Sequence, residues 1–203
     1  MIISQCARFK GHNSAIYSLV QLDRENFLSA GGDGWVASWP VDKKGDGRLV
    51  CDVKEQIFSI ALHDNVLILG CMDGHLYQVD ILKGLQPRKI QYHKKGVFAI
   101  MSLGEHILTV GGDGKMAVWD KRMELKEVVV ISHSSLRTIS LSPDRSVLAI
   151  GASDSKIYLL DAQTFSLLSS IEAAHEPSVF SIAFINDNFL VSGGRDARLR
   201  SWE

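Results

Sequence analysis

The chain has 203 residues, 46% hydrophobic and 22% charged, which supplies a packed core and argues against intrinsic disorder. Its 22 Lys and Arg against 23 Asp and Glu give a formal charge of -1, which removes the electrostatic case for a nucleic-acid-binding face. No eighteen-residue apolar run occurs and no basic head precedes an apolar stretch at the N-terminus, so neither a membrane span nor a secretory signal is expected. Cys6, Cys51 and Cys71 lack metal-ligand spacing and read as buried, reduced thiols of a cytoplasmic protein.

Short apolar segments separated by turn formers then recur along the chain. After Gly11-His12, strands are expected over 16–20 and 27–30, followed by the turn Gly31-Gly32-Asp33-Gly34, a strand over 36–39 ending on Trp39, and a more polar strand over 48–53. The second unit predicts strands over 57–61, 66–69, 76–79 and 88–92, with its turn at Asp73-Gly74 and its third strand ending on Val79. The third predicts 97–101, 107–110, 116–119 and 126–131 around Asp113-Gly114, ending its third strand on Trp119. The fourth predicts 136–141, 147–150, 157–160 and 166–171 around Asp154. The fifth, 179–184, 189–192 and 199–202 around Asp196, stops after its third strand. The five turn Asp residues stand 40, 40, 41 and 42 apart, and each precedes a Trp, Val or Leu by six. Repeats are placed at 10–53, 54–93, 94–132, 133–173 and 174–203 of a single domain over 1–203.

A sheet with apolar residues on both faces cannot bury them alone, so the pattern implies radial stacking of interdependent units. The segment over 2–9 has the strand character that the fifth unit lacks, and is expected to be the outer strand that closes the ring beside 199–202.

The Gly-His opening, the Asp turn and the Trp119-Asp120 ending resemble the WD40-repeat β-propeller family, in register over essentially the whole chain. Trp39-Pro40 and Trp202-Glu203 keep the Trp and change its follower. The resemblance implies an all-β propeller in a family whose usual complement is seven blades. Five repeats closed on themselves would each turn about 72°, against about 51° for seven, so the fold is expected as a WD40-type propeller, incomplete or of unusual blade number, as part of a seven-bladed ring or an assembly.

The resemblance also implies a His, hydroxyl, Asp and Trp network inside a blade. Three repeats supply it: His12, Ser29, Asp33 and Trp39; His93, Thr109, Asp113 and Trp119; His175, Ser192, Asp196 and Trp202. The same types would suit a catalytic triad, but hydroxyls on central strands, each joined to a Trp and present in triplicate, fit a scaffold better, and no catalytic residue is assigned. The second repeat has Val53, Leu69 and Val79 at the network positions and leaves Asp73 alone. The fourth keeps His133 and Asp154, expected to bond directly, beside Ile150 and Leu160.

Candidate contact residues lie near the turns. The position before each turn Asp holds Gly32, Met72, Gly112, Ser153 and Arg195, and a matched column on the first strands holds Tyr17, Phe58, Phe98, Arg137 and Phe180. Family members often use such positions at the channel mouth for partners, and aromatic and Arg anchors carry interfaces. Phe58, Phe98 and Phe180 would equally serve as packing between blades. The expected protein-binding residues are Tyr17, Trp35, Met72, Arg137 and Arg195. Function is read as a non-catalytic scaffold for protein or peptide, with an enzyme using an unrecognised central-channel site as the alternative. No cofactor, metal, nucleic acid or membrane is expected; self-association or a complementing propeller fragment would serve to complete a ring.

Overall fold

The structure is a computed structural model that describes residues 7–42, 47–83 and 86–203. Within them the chain is all β, with four four-stranded antiparallel sheets and one three-stranded sheet, each built from strands consecutive in sequence. The first blade comprises β1 (Ile16–Gln21), β2 (Asn26–Gly31), β3 (Trp35–Pro40) and β4 (Arg48–Asp52). The second comprises β5 (Ile57–His63), β6 (Val66–Cys71), β7 (His75–Asp80) and β8 (Arg88–Gln91). The third is β9 (Val97–Leu103), β10 (His106–Gly111), β11 (Lys115–Trp119) and β12 (Leu125–Val130). The fourth is β13 (Leu136–Leu141), β14 (Val147–Ala152), β15 (Ile157–Asp161) and β16 (Leu167–Ile171). The fifth has β17 (Val179–Phe184), β18 (Leu190–Gly194) and β19 (Leu199–Trp202).

Period-two alternation sends successive side chains of the middle strands to opposite neighbours. On β10, Ile107 joins Ala117 and Trp119 against Ile68 and Leu76 of the second blade, while Leu108 joins Val110 and Met116 against Leu148 and Ile150 of the fourth. The Trp-bearing face of a blade therefore packs on the preceding blade, and the opposite face on the next. Val36 with Leu28 against the second blade, and Ile157 with Ala149 against the fifth, repeat the arrangement.

The turn Asp is followed by a left-handed residue in all five units: Gly34, Gly74 and Gly114, then Ser155 and Ala197 at φ 75° and 59°. Glycine is needed most in the third turn, where a Cβ on Gly114 would lie 1.9 Å from the Ser132 carbonyl oxygen.

The two terminal blades each present an uncovered face. Leu199, three residues after its turn Asp, is 87% exposed, whereas Val36, Leu76, Met116 and Ile157 at the same repeat position are all 0%. Ile16 opens β1 at 52%, against 0% for Ile57, Val97, Leu136 and Val179. Of the expected closing strand over 2–9, residues 2–6 lie outside the described residues; Phe9 packs on Phe27 and Trp39 of the first blade, with ring centroids 5.4 and 5.6 Å away.

Candidate functional site

Each inner strand carries one bulge, and in every blade it falls on the same column. The antiparallel register of β1 on β2 jumps between Ile16 and Ser18, that of β5 on β6 between Ile57 and Ser59, and that of β9 on β10 passes from Val97 to Ala99. Those of β13 and β17 jump from Leu136 to Thr138 and from Val179 to Ser181. The skipped residues are Tyr17, Phe58, Phe98, Arg137 and Phe180. A bulge puts two residues opposite one and turns the extra side chain out of the ladder. The column noticed in the sequence is thus a column of re-aimed side chains, a property invisible to strand periodicity.

Four of them join into one ladder across four blades. The Tyr17 and Phe58 rings meet edge-on at 4.9 Å, Phe58 and Phe98 lie tilted at 5.5 Å, and the Arg137 guanidinium sits 4.2 Å over the Phe98 ring. Phe58 and Phe98 pack between blades, as one sequence reading expected, and each keeps a partly open face. Phe180 occupies the fifth bulge, half exposed. The residues before the turn Asp form the ladder's floor: a Cβ on Gly32 would lie 3.4 Å from the Tyr17 ring and one on Gly112 3.1 Å from the Phe98 ring, and the Arg137 Nε–H donates to Ser153 Oγ at 2.9 Å.

Of the other expected binding residues, Met72 is exposed beside the ladder, its carbonyl oxygen 3.1 Å from where a Cβ on Gly96 would stand. Arg195 is exposed in the fifth turn, its backbone N–H held by the Ser178 carbonyl at 2.9 Å. Trp35 stands apart: it is half-buried on the side of the first blade in a shallow cleft with Lys10, Trp39 and Leu49, and its indole N–H donates to Asp52 at 3.2 Å.

Beneath the rim the three complete networks close as the resemblance implies. In the first blade His12 Nδ1 meets Asp33 at 2.9 Å, His12 Nε2 meets Ser29 Oγ at 2.6 Å, and the Trp39 indole donates to Ser29 Oγ at 2.7 Å. The third repeats this through His93, Asp113, Thr109 and Trp119 at 3.0, 2.9 and 3.0 Å, and the fifth through His175, Asp196, Ser192 and Trp202 at 2.8, 2.8 and 2.9 Å. With the Nδ1 proton directed at the carboxylate, Nε2 accepts from the hydroxyl, whose oxygen accepts from the indole. Ser29, Thr109 and Ser192 are buried, so no substrate reaches their oxygens, and the triad alternative fails on access.

Burial works against the ionised form of Asp33, Asp113 and Asp196, but backbone N–H groups and the histidines outweigh it and hold all three carboxyls below their ordinary range. For His93, burial wins over the Asp113 charge and lowers the imidazole below its usual value. Burial likewise pushes the Cys51 thiol up to about 11 and the Cys71 thiol to about 12; Cys71 is buried and Cys51 half-buried, both free, while Cys6 lies outside the described residues.

Two details depart from the sequence reading. Asp73 is not alone: His75 donates to it through both its backbone N–H and its ring Nδ1, while Val53, Leu69 and Val79 bury the vacated network space. In the fourth blade Ser132, not His133, meets Asp154, at 2.5 Å, joined by the Tyr158 hydroxyl at 2.7 Å. The network His stands four residues before the first residue of its inner strand, as His12, His93 and His175 do before Ile16, Val97 and Val179, and four before Leu136 is Ser132. Trp202 is half-buried, unlike the buried Trp39 and Trp119, and Arg200 braces its network by donating to Asp196 at 2.8 Å.

The model for the WD domain, G-beta repeat, matches residues 3–39, 125–161 and 165–203, more than half of the chain. The chain therefore belongs to the WD40-repeat family. It is 26% identical over 169 residues to the Arabidopsis thaliana protein "Actin-interacting protein 1-2", covering 77% of this chain and 28% of that protein. It is 30% identical over 142 residues to the Mus musculus "THO complex subunit 6 homolog", covering 62% of this chain and 41% of that protein. The chain thus spans less than half of the length of these relatives. The WD40 β-propeller domain of Doa1 superposes with a TM-score of 0.84 at 19% identity, covering 96% of this chain and 67% of that one, a likeness of fold.

Proposed function

We propose that this chain is a non-catalytic platform that holds a protein or peptide across the mouth of the propeller. The observation that carries this reading is the single column of five bulges, which aims Tyr17, Phe58, Phe98, Arg137 and Phe180 out of their sheets. Rigid networks below and variable side chains above are the division that recognition needs. Aromatic rings and an Arg offer large contact area at low entropic cost. The names of the relatives, an actin-interacting protein and a complex subunit, agree with such a role. An unbiased protein-binding screen, repeated with Tyr17→Ala and Arg137→Ala chains that retain their folded circular-dichroism spectrum, tests it. Both substitutions should weaken capture; binding unchanged in both would move the interface elsewhere.

A second surface is favoured by a separate observation, the exposure of Leu199 and Ile16 at positions buried in every other blade. We infer that these faces receive a complementing propeller fragment. The coverage of 67% of the Doa1 propeller domain leaves a third of such a ring to fill. A second copy with five blades would overfill that space, which argues against self-association. Sedimentation over a wide concentration range should give the mass of one chain; a dimer dissociated by Leu199→Glu would establish self-association instead.

A further inference from the structure

The rung at the end of the aromatic ladder is a guanidinium without an acid. Arg137 donates through Nε to Ser153 and lies flat on Phe98, and among the described residues no carboxylate pairs with it. The turn carboxylates nearby are already committed: Asp113 to His93 and the Lys94 backbone, Asp154 to Ser132 and Tyr158. The paired N–H groups of Nη1 and Nη2 thus have no acceptor among the described residues, although the side chain is half-buried and its orientation is fixed from both sides. A guanidinium held this way is a preorganised fork for a planar carboxylate, with its stem and stacking partner already ordered. Lys95 is rooted nearby: its Cβ, like the Phe98 ring, lies against Gly112, the residue is exposed, and no ion pair engages it among the described residues.

The rest of the ladder is apolar and aromatic. Resting on the proposed platform role, we propose that the mouth recognises a peptide segment bearing a carboxylate side chain beside an aromatic or aliphatic one. The acid pairs with Arg137, and the neighbouring side chain lies along Phe58 and Tyr17. A basic or uncharged segment would leave the Arg137 fork desolvated and unmatched, so the same geometry that selects the acid rejects its amide.

A displayed library of random peptides about a dozen residues long, selected on the wild-type chain, provides the probes. Enrichment of Asp or Glu next to an aromatic or aliphatic residue is expected. Synthetic versions of the enriched peptide, with the acid and with the corresponding amide, are then titrated by fluorescence anisotropy against wild-type, Arg137→Gln and Tyr17→Ala chains of matched urea-unfolding midpoint. On wild type the amide should bind about 10- to 100-fold more weakly. On Arg137→Gln the acid and the amide should bind alike, whereas Tyr17→Ala should weaken both while keeping their ratio. Peptides lost on Tyr17→Ala but with no preference for an acid would leave the platform role standing and overturn this inference. Peptides indifferent to both substitutions, or none recovered, would overturn the two together.

Discussion

Ser29, Thr109 and Ser192 each donate one hydrogen bond and accept another inside a dry sheet, so removing either neighbour strands a polar group. Trp39→Ala and Trp119→Ala should each cost about 3–5 kcal/mol in urea unfolding, through lost packing and the lost indole hydrogen bond to the buried hydroxyl. Trp202→Ala and Trp35→Ala, at half-buried rings, should cost about 1–2 kcal/mol. Protonation bears on the same groups. Burial holds the folded His93 pKa below the unfolded value near 6.5, so the unfolded state takes up the proton first as pH falls. The stability this group contributes is therefore present above pH about 6.5 and declines below it. The lowered Asp33, Asp113 and Asp196 add a second loss only below the ordinary carboxylate range near 3.8. A urea midpoint lower at pH 5 than at pH 7.5, with the His93 ring resonance still titrating below 6.5, is the expected result.

At the scale of the element, the Asp turn makes the sharpest demand on sequence. Ala197 adopts φ 59° where three of the other turns place glycine. Ala197→Gly should raise stability by up to about 1 kcal/mol by relieving left-handed strain, and Gly114→Ala should lower it by more than that, since its Cβ would collide with the Ser132 carbonyl. Paired thermal melts check both signs. The strands and turns were readable because turn formers and apolar runs repeat at a fixed period, and boundaries such as Ile16, Arg48 and Val179 fall where the residues placed them. The networks were readable through the family resemblance, whose His, hydroxyl, Asp and Trp positions three of the repeats fill. What escaped depended on geometry across strands. Nothing in Ile16-Tyr17-Ser18 marks Tyr17 as bulged, and only comparing five registers reveals it. His133 misled because it lies 21 residues before Asp154, the same interval that separates His12 from Asp33; the register of the inner strand, not the distance to the turn, decides which side chain faces the carboxylate.

Across the whole molecule, four inter-blade cores share one construction, and the terminal faces show it unfinished. Met116→Ala should cost about 2–5 kcal/mol because its side chain fills the joint between the third and fourth blades. Leu199→Ala, at the equivalent position on the open face, should change stability by less than about 0.5 kcal/mol in the isolated chain. Comparable losses at both sites would mean that Leu199 is covered in solution. The platform reading places recognition at the mouth, away from these flanks and from the polar outer strands. Its most direct test is one alanine scan in one binding assay, covering Tyr17, Phe98 and Arg137 on the bulge column and the exposed Leu125, Val128 and Val130 on β12. Affinity for a captured partner should fall about tenfold or more at the three column positions and stay within about twofold at the three outer ones; losses confined to β12 would contradict recognition at the mouth.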